Sequence, residues 1–400
     1  MKYLWILLFV SCLALSEALI TGTTAESSGG GGNDVAYWAT PAGERFAPIG
    51  MSDDGQTLLV ESMDSNGGAV FGPEGLKRRL TAPYSPTDLR WISGNGKWAA
   101  GSSGQQAALW NVETGALELT GGFDHFYPFT VDNNGTIAGD WENDGDGLGN
   151  QAFRRTLNSP IEQLMPGYVF SAVMATTASG SVLALSAKQV DGGPNRAFYF
   201  TGTGPAVELP SAAGETYTCP RAVSEPDGNL FIEVGETGTL YAYKPFMWAF
   251  GDAAKTVLPA LGVRKYGSAL CAAGWPKIKM IGGFLLSNRS DQKAILWLPD
   301  GNGGLVAQDA EQLVRALFPE LGPLKLTAVV GLSPDGQYLL TRAVDSSSTV
   351  SRAIVLNLWY STPLGTVKAQ PLASPVSVTT APVIASYPGV FYIENHCCPR

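Results

Sequence analysis

The stretch GLSPDGQYLL at residues 331–340 decides the fold of this chain. Its apolar ends flank a Ser-Pro-Asp-Gly turn, and a further apolar run, AIVL at residues 353–356, follows after a polar gap. An Asp-Gly turn between two apolar segments indicates a β-hairpin, and the second run indicates a third strand. The stretch therefore predicts a small antiparallel sheet.

Weaker copies of this pattern recur upstream, each with an apolar strand behind the turn. The turn glycines of the recognisable copies are Gly55, Gly96, Gly135, Gly180, Gly228 and Gly336. A degenerate copy at residues 274–277 lacks the turn glycine but keeps the strand AILW at residues 294–297. A repeat of roughly 40 to 50 residues with three or four short strands is typical of the blades of a β-propeller.

Burial explains why such units would form a ring. A sheet with apolar residues on both faces leaves them in water unless neighbouring sheets cover it, and a closed ring covers every face. Seven copies predict an all-β propeller of seven blades, with six or eight left open. The segment VAYW at residues 35–38 resembles a third strand with no turn strand before it. We expect it to complete the last blade and close the ring.

The Ser-x-Asp-Gly turn and the Ala-x-Trp strand resemble the repeats of bacterial extracellular HAF-type proteins. The segment at residues 332–339 is also similar to the repeat box of TolB-type propellers. The resemblance covers most of residues 35–358 and implies a propeller fold. Neither family supplies a catalytic residue that can be placed on this chain.

Composition narrows the class of protein and of partner. The chain has 400 residues, including 48 Gly and 26 Pro, and so many turn-forming residues favour short strands joined by turns. The net charge of −9 disfavours nucleic acid as a partner, because phosphate binding needs clustered Lys and Arg. One short inserted helix is expected at residues 309–318, with Asp309 and Gln312 as a capping box and Pro319 as a stop.

The two ends of the chain differ from the repeats in between. Residues 1–18 have the apolar core and small-x-small ending of a signal peptide, and residues 19–34 are a Gly/Ser-rich linker. The propeller is assigned to residues 35–358, and residues 359–400 form a Pro/Thr/Val-rich tail without a transmembrane segment. These features predict a secreted, extracellular or periplasmic protein. A lipid anchor on Cys12 is the alternative, although its surroundings match a lipobox poorly.

Export permits disulfides, and two cysteines lie in adjacent units. Cys219 and Cys271 each come just before a turn position, so a bridge between neighbouring inner strands is one prediction and two buried free thiols are the other. Cys397 and Cys398 are adjacent in the tail, where pairing with another chain is open to them.

An acidic, glycine-rich loop is the strongest candidate for chemistry. Its alternating carboxylates belong to Asp140, Glu142, Asp144 and Asp146. Oxygen ligands with interleaved glycines suit Ca²⁺, so a calcium site is predicted here, against the alternative of a solvated acidic loop.

The sequence favours binding over catalysis. With His125 and His396 the only histidines and no nucleophile elbow, a His-dependent triad finds little support. We expect a binding or scaffold module with a protein or glycan ligand at a propeller rim or in the channel. The alternatives are an extracellular carbohydrate- or peptide-active enzyme using Asp140, Glu142 or Asp144, and a structural cell-surface protein linked through its tail.

Overall fold

The computed structural model describes a large part of the chain. The described residues are 37–41, 45–84, 87–120, 125–142, 149–156, 159–225, 231–239, 242–274, 280–287, 291–318, 321, 324–345, 351–358, 383–387 and 390–393. The predicted signal peptide, the linker, Cys12, Asp144, Asp146, His396, Cys397 and Cys398 lie outside them.

Short strands make up most of the described chain. In chain order they are β1 (Tyr37–Ala39), β2 (Phe46–Met51), β3 (Leu58–Ser62), β4 (Gly68–Gly72), β5 (Gly75–Leu80), β6 (Thr87–Ile92), β7 (Trp98–Ser103), β8 (Gln106–Asn111), β9 (Leu117–Thr120), β10 (His125–Val131), β11 (Ile137–Glu142), β12 (Asn150–Arg155), β13 (Glu162–Gln163), β14 (Phe170–Thr176), β15 (Leu183–Lys188), β16 (Arg196–Phe200), β17 (Val207–Glu208), β18 (Tyr217–Ser224), β19 (Ile232–Thr239), β20 (Ala242–Ala249), β21 (Thr256–Val257), β22 (Tyr266–Ala273), β23 (Met280–Leu286), β24 (Gln292–Pro299), β25 (Leu305–Asp309), β26 (Leu324–Leu332), β27 (Tyr338–Asp345), β28 (Ser351–Asn357), β29 (Val383–Tyr387) and β30 (Val390–Ile393). A helix, α1 (Ala310–Leu317), lies between β25 and β26.

These strands form seven four-stranded antiparallel sheets, which are the blades of a propeller. Blades 1 to 6 each take four consecutive strands, from β2–β5 through β22–β25, and blade 7 has the order β1-β28-β27-β26. The first strand of every blade contacts the first strand of the next, and β26 contacts β2, so the ring is closed. The predicted all-β, seven-bladed propeller is confirmed.

The N-terminal strand closes the ring, as expected, but in a different position. Tyr37, Trp38 and Ala39 pair with Leu356, Val355 and Ile354. This makes β1 the fourth, outermost strand of blade 7, whereas the sequence pattern indicated a third strand. The reason is that β26, β27 and β28 already supply three strands from the end of the chain.

The repeated turn has one geometry that explains its sequence. In blade 7 the Gly336 amide donates to the Ser333 carbonyl (2.9 Å), and the Tyr338 amide donates to Ser333 Oγ (2.8 Å). The Ser333 hydroxyl also donates to Asp335 Oδ1 (2.6 Å). Gly336 has φ +76°, a conformation that glycine adopts without strain. Blades 1 and 2 repeat these bonds around Ser52 and Ser93.

The hydrophobic core is divided among the junctions between blades. Seven clusters of buried apolar side chains occur, one for each pair of neighbouring blades. The predicted helix is present and joins the cluster of blades 6 and 7 through Ala310 and Val314. Its N-cap is Asp309, whose side chain accepts from the amides of Glu311 and Gln312.

Beyond the ring, β29 and β30 pair as an antiparallel hairpin within the predicted tail. Among the described residues, none of the helical structure is long and apolar enough to cross a bilayer.

Candidate functional site

A bulge in the first strand of every blade shapes the central channel. The cross-strand register shifts at a residue that is left without a partner on the second strand, and blade 7 has two such shifts. The residues skipped are Ile49, Arg90, Phe129, Met174, Arg221, Leu270 and, in blade 7, Thr327 and Val330. Because the free edge of each first strand faces the axis, we infer that these residues line the channel. The Arg90 guanidinium lies 5.9 Å from the centre of the Phe129 ring, so the bulge residues of blades 2 and 3 contact each other.

The turns after the first strands form one end of the channel, which we call the turn mouth. Blades 1 and 2 are joined by the Asp53 amide, which donates to the Gly94 carbonyl (2.7 Å). Blades 3 and 4 are joined by the Asn133 amide, which donates to the Ala178 carbonyl (2.9 Å). A Cβ atom on Gly94 would lie 2.3 Å from Asp53 Oδ2 and 3.0 Å from the Ala178 Cβ. The turns of blades 1 to 4 are therefore crowded together.

The opposite end carries charged side chains from three blades. We call the group Glu61, Asp88, Arg90, Asp140 and Glu142 the carboxylate mouth. Glu61 lies near the end of β3, Asp88 and Arg90 lie on β6, and Asp140 and Glu142 end β11. Arg90 forms an ion pair with Asp88 and is electrostatically close to both Glu61 and Asp140. Three carboxyl groups thus share the field of one guanidinium, and Glu142 lies electrostatically close to one of them, Asp140.

Burial controls the acidity of this group. Burial raises the pKa of Glu61, the Asp88 carboxylate raises it further, and Arg90 lowers it. Burial also raises the pKa of Asp140 to about 6, against a hydrogen bond from Asn150 that lowers it. Tyr127, which pairs with Asp140 across the strands, has a raised pKa because of its burial and the nearby carboxylates.

Within the carboxylate mouth, Asp140 is buried with only one of its two carboxyl oxygens hydrogen-bonded. Its side chain is buried, with 4% exposed, and Oδ2 accepts from Asn150 Nδ2 at 2.9 Å. Oδ1 is buried and has no hydrogen-bond partner among the described residues. A buried carboxylate oxygen without a donor is costly, so Asp140 is the residue of this group best placed to receive a ligand.

The structure describes two of the four residues of the predicted calcium site. Asp140 and Glu142 are two residues apart on β11 and therefore share a face of the strand. Asp144 and Asp146 lie outside the described residues. Within the described part of the chain, no group of three or more His, Cys, Asp or Glu side chains is arranged to hold a metal ion. Calcium at this loop stays a prediction.

The prediction of a disulfide between Cys219 and Cys271 is wrong in this structure, where both are buried free thiols. Cys219 lies two residues before the bulge of its first strand, and Cys271 lies one residue after the bulge of the next. At about 3.3 Å per residue the offset is roughly 10 Å, which exceeds the Cα separation that a disulfide spans. The alternative of two buried thiols is the one observed.

Charged side chains also enter the junction of blades 4 and 5. Lys255 Nζ lies 2.8 Å from Glu215 Oε1, and the two side chains are 5% and 4% exposed. Glu233 is fully buried, and neither carboxyl oxygen has a hydrogen-bond partner among the described residues. Burial raises the pKa of Glu233 well above its ordinary value.

Sequence reasoning placed Asp140 and Glu142 in the site but missed Glu61, Asp88 and Arg90. These three lie on other blades, and their convergence depends on the ring geometry and on the bulge at Arg90. No local motif marks them. The one available signal in the sequence was Arg90, a charged residue within an inner strand.

The sequence matches no protein-family model and no curated protein. Among solved structures, the chain is similar to the β-propeller domain of Cps50 (Swd1) from Myceliophteria thermophila, with 13% identity and a TM-score of 0.47 over 80% of this chain and 99% of that one. Hydrazine synthase from Kuenenia stuttgartiensis gives 13% identity and a TM-score of 0.46, over 84% and 99%. TolB from Acinetobacter baumannii gives 14% identity and a TM-score of 0.40, over 66% and 63%. The assignment of the fold rests on the sheet topology.

Proposed function

We propose that this chain is an exported binding module in which Asp140 and Glu142, together with Asp144 and Asp146 of the acidic loop that follows them in the sequence, bind Ca²⁺. The observation that carries the proposal is Asp140 Oδ1, which is buried among carboxylates without a partner in the described structure. A bound cation would supply the missing interaction and reduce the repulsion between the Asp140 and Glu142 carboxylates. Carboxylate oxygens are the ligands that Ca²⁺ prefers.

Isothermal titration of the EDTA-treated full chain with CaCl₂ tests this proposal. We expect binding that weakens at least tenfold in Asp140→Asn, since the variant loses a carboxylate ligand. Binding should also weaken as the pH falls below about 6, because a proton then competes for the Asp140 carboxyl. Asp191→Asn, at an exposed acid of blade 4, is the matched control. Equal heats for the parent chain and Asp140→Asn would overturn the assignment.

We propose export because residues 1–18 match a signal peptide and because the repeats resemble those of HAF-type extracellular proteins. Expression in a bacterium followed by N-terminal sequencing of the processed chain tests it. The expected mature chain begins at residue 19 and is recovered outside the cytoplasm. Recovery of the whole chain, starting at Met1, from the cytoplasm would contradict export.

A hydrolase is the second candidate, and a specific observation favours it. Asp140 has a pKa raised to about 6 by burial and lies electrostatically close to Glu142, Arg90 and Tyr127. A carboxylic acid that stays protonated near pH 6 is suited to general acid catalysis on a polysaccharide or peptide. Turnover of such substrates that disappears in Asp140→Asn would establish this function. Equal turnover by the variant would exclude the role of Asp140.

A further inference from the structure

A small cavity lies between blades 3 and 4, on the same side of the ring as the turn mouth. Its volume is about 180 Å³, and its walls come from the turn of blade 3, the outer strands of that blade and the turn glycine of blade 4. Thr156, Pro160 and Glu162 are exposed, so the cavity opens to solvent. The space equals that of about six water molecules and is too small for a drug-sized ligand.

A buried carboxylate forms the floor of this rim cavity. Asp132 is 5% exposed, and its Oδ1 accepts from the amides of Asn134 (2.9 Å) and Thr136 (2.8 Å). Its Oδ2 has no hydrogen-bond partner among the described residues. A Cβ atom at position 180 would lie 2.3 Å from this oxygen, so Gly180 is what leaves room beside it. The cavity therefore contains an acceptor held in place by its own turn.

A second carboxylate and a guanidinium stand on the wall. Arg154 donates through Nε (2.9 Å) and Nη2 (2.6 Å), and both bonds end on Glu162 Oε2. Glu162 Oε1 and Arg154 Nη1 are thus available to a ligand. The Arg154 guanidinium lies 5.4 Å from the centre of the Phe200 ring, which helps to fix its position.

Hydroxyl groups complete the lining. Thr136 Oγ1 and Thr156 Oγ1 are 3.3 Å apart, and Ser159 Oγ donates to the Thr156 carbonyl (2.7 Å). The ligand therefore meets carboxylate acceptors, one guanidinium donor and hydroxyls that do both. An anion would be repelled by the two carboxylates. A hydroxyl group can donate to these carboxylates and accept from the guanidinium, so it uses both kinds of group.

At two other junctions the equivalent position is filled by an aromatic ring, whereas the residue is Thr57 in blade 1 and Val182 in blade 4. The residue that ends the turn is Trp98 in blade 2, and a Cβ on Gly135 of blade 3 would lie 3.2 Å from its ring. In blade 7 the residue that ends the turn is Tyr338, and a Cβ on Gly55 of blade 1 would lie 2.3 Å from its ring. In blade 3 this residue is Thr136. The smaller side chain leaves open the space that Trp98 and Tyr338 occupy at their junctions.

We infer that the rim cavity between blades 3 and 4 binds one neutral, hydroxyl-bearing sugar unit of a glycan. Asp132 and Glu162 accept hydrogen bonds from its hydroxyls, and Arg154 donates to an adjacent hydroxyl oxygen. This site is separate from the carboxylate mouth, and it stands or falls independently of cation binding there.

Saturation-transfer difference NMR of the full chain tests this inference. The probes are D-glucose, D-galactose, D-mannose and N-acetyl-D-glucosamine at millimolar concentration. At least one of them should give a signal. Thr136→Trp should abolish the signal by placing a ring where Trp98 has one, and Glu162→Gln should weaken binding about tenfold through the loss of a charged acceptor.

Two controls separate local effects from misfolding. Thr114→Trp and Glu113→Gln make the same changes at exposed positions of blade 2 and should leave the signal unchanged. Glu162 is 49% exposed, so its substitution should not disturb the fold, and circular dichroism checks this. Absence of a signal from all four sugars, or a signal that survives both Thr136→Trp and Glu162→Gln, would overturn the inference.

Discussion

The junction of blades 7 and 1 and the junction of blades 4 and 5 solve the same packing problem with different residues. The first is an apolar cluster in which Trp38 and Leu340 of blade 7 pack against Phe46 of blade 1. The second combines an apolar cluster around Phe246 with the buried Lys255–Glu215 pair and Glu233. Ring closure thus depends mainly on apolar side chains, whereas the other junction also contains buried charged groups.

The difference matters because buried charges and apolar side chains respond to different conditions. Burial of apolar area stabilises a junction at every pH. A buried ion pair gives little net stability, yet breaking it leaves one charge without compensation. We therefore expect the closing junction to set the stability of the ring, and the junction of blades 4 and 5 to set its response to pH.

Removal of residues 1–41 should have the largest effect. The deletion takes away β1, the buried Trp38 ring and the hydrogen bond from Arg352 Nη2 to the Thr40 carbonyl (2.8 Å). Loss of a buried Trp alone costs about 3–5 kcal/mol. We expect urea unfolding, followed by circular dichroism, to show at least that loss. Deletion of residues 1–34 is the control and should leave the midpoint unchanged; equal midpoints for the two deletions would contradict the role of β1.

Breaking the buried ion pair should have the next largest effect. Lys255→Met leaves Glu215 buried without its cation, which costs about 3–5 kcal/mol. The double variant Lys255→Met/Glu215→Leu should recover most of this loss, because no charge is then left uncompensated. The exposed pair Arg45–Asp64 is the matched control, and Arg45→Met should cost under about 1 kcal/mol. A double variant that is less stable than Lys255→Met would contradict this prediction, because removal of the Glu215 charge would then not restore stability.

Glu233→Met should stabilise the ring, and more so at pH 8 than at pH 4. Burial raises the pKa of Glu233 in the folded state, with Lys255 acting to lower it, so the folded protein holds the proton more tightly than the unfolded chain does. The Glu233 carboxyl therefore destabilises the folded state least below a pH of about 4.3, and this destabilisation grows as the pH rises through the folded pKa. We expect the gain on substitution to be larger at pH 8 than at pH 4 by about 1–3 kcal/mol. Parallel stability–pH curves for the two proteins would contradict this.

The sequence predicted the ring well because its turns are local. A serine, an aspartate and a glycine within four residues are enough to form the turn seen at Ser333, and its repetition gave the number of blades. The helix was also predictable, since Asp309 caps it locally. The position of β1 was not, because which strand lies outermost in blade 7 depends on pairing across the whole chain.

The functional sites were less predictable because they, too, depend on contacts between residues that are far apart in the sequence. The Cys219–Cys271 prediction failed because the two cysteines lie three residues apart along adjacent inner strands when the equivalent bulges of those strands are aligned. The carboxylate mouth needs Glu61, Asp88 and Asp140 from three different blades to meet around Arg90. Only the ring geometry brings them together.

Cross-linking of β1 to β28 tests the closed ring most directly. Ala39 lies opposite Ile354, and the neighbouring Thr40 amide donates to the Ala353 carbonyl at 3.0 Å. In a chain whose five native cysteines are replaced by serine, the pair Ala39→Cys/Ile354→Cys should form an intramolecular disulfide on mild oxidation, seen as a shift in non-reducing electrophoresis. The control pair Ala39→Cys/Ser351→Cys is three residues out of register, about 10 Å along the strand, and should stay reduced. Equal cross-linking of the two pairs, or none in the first, would contradict a ring closed by its N-terminal strand.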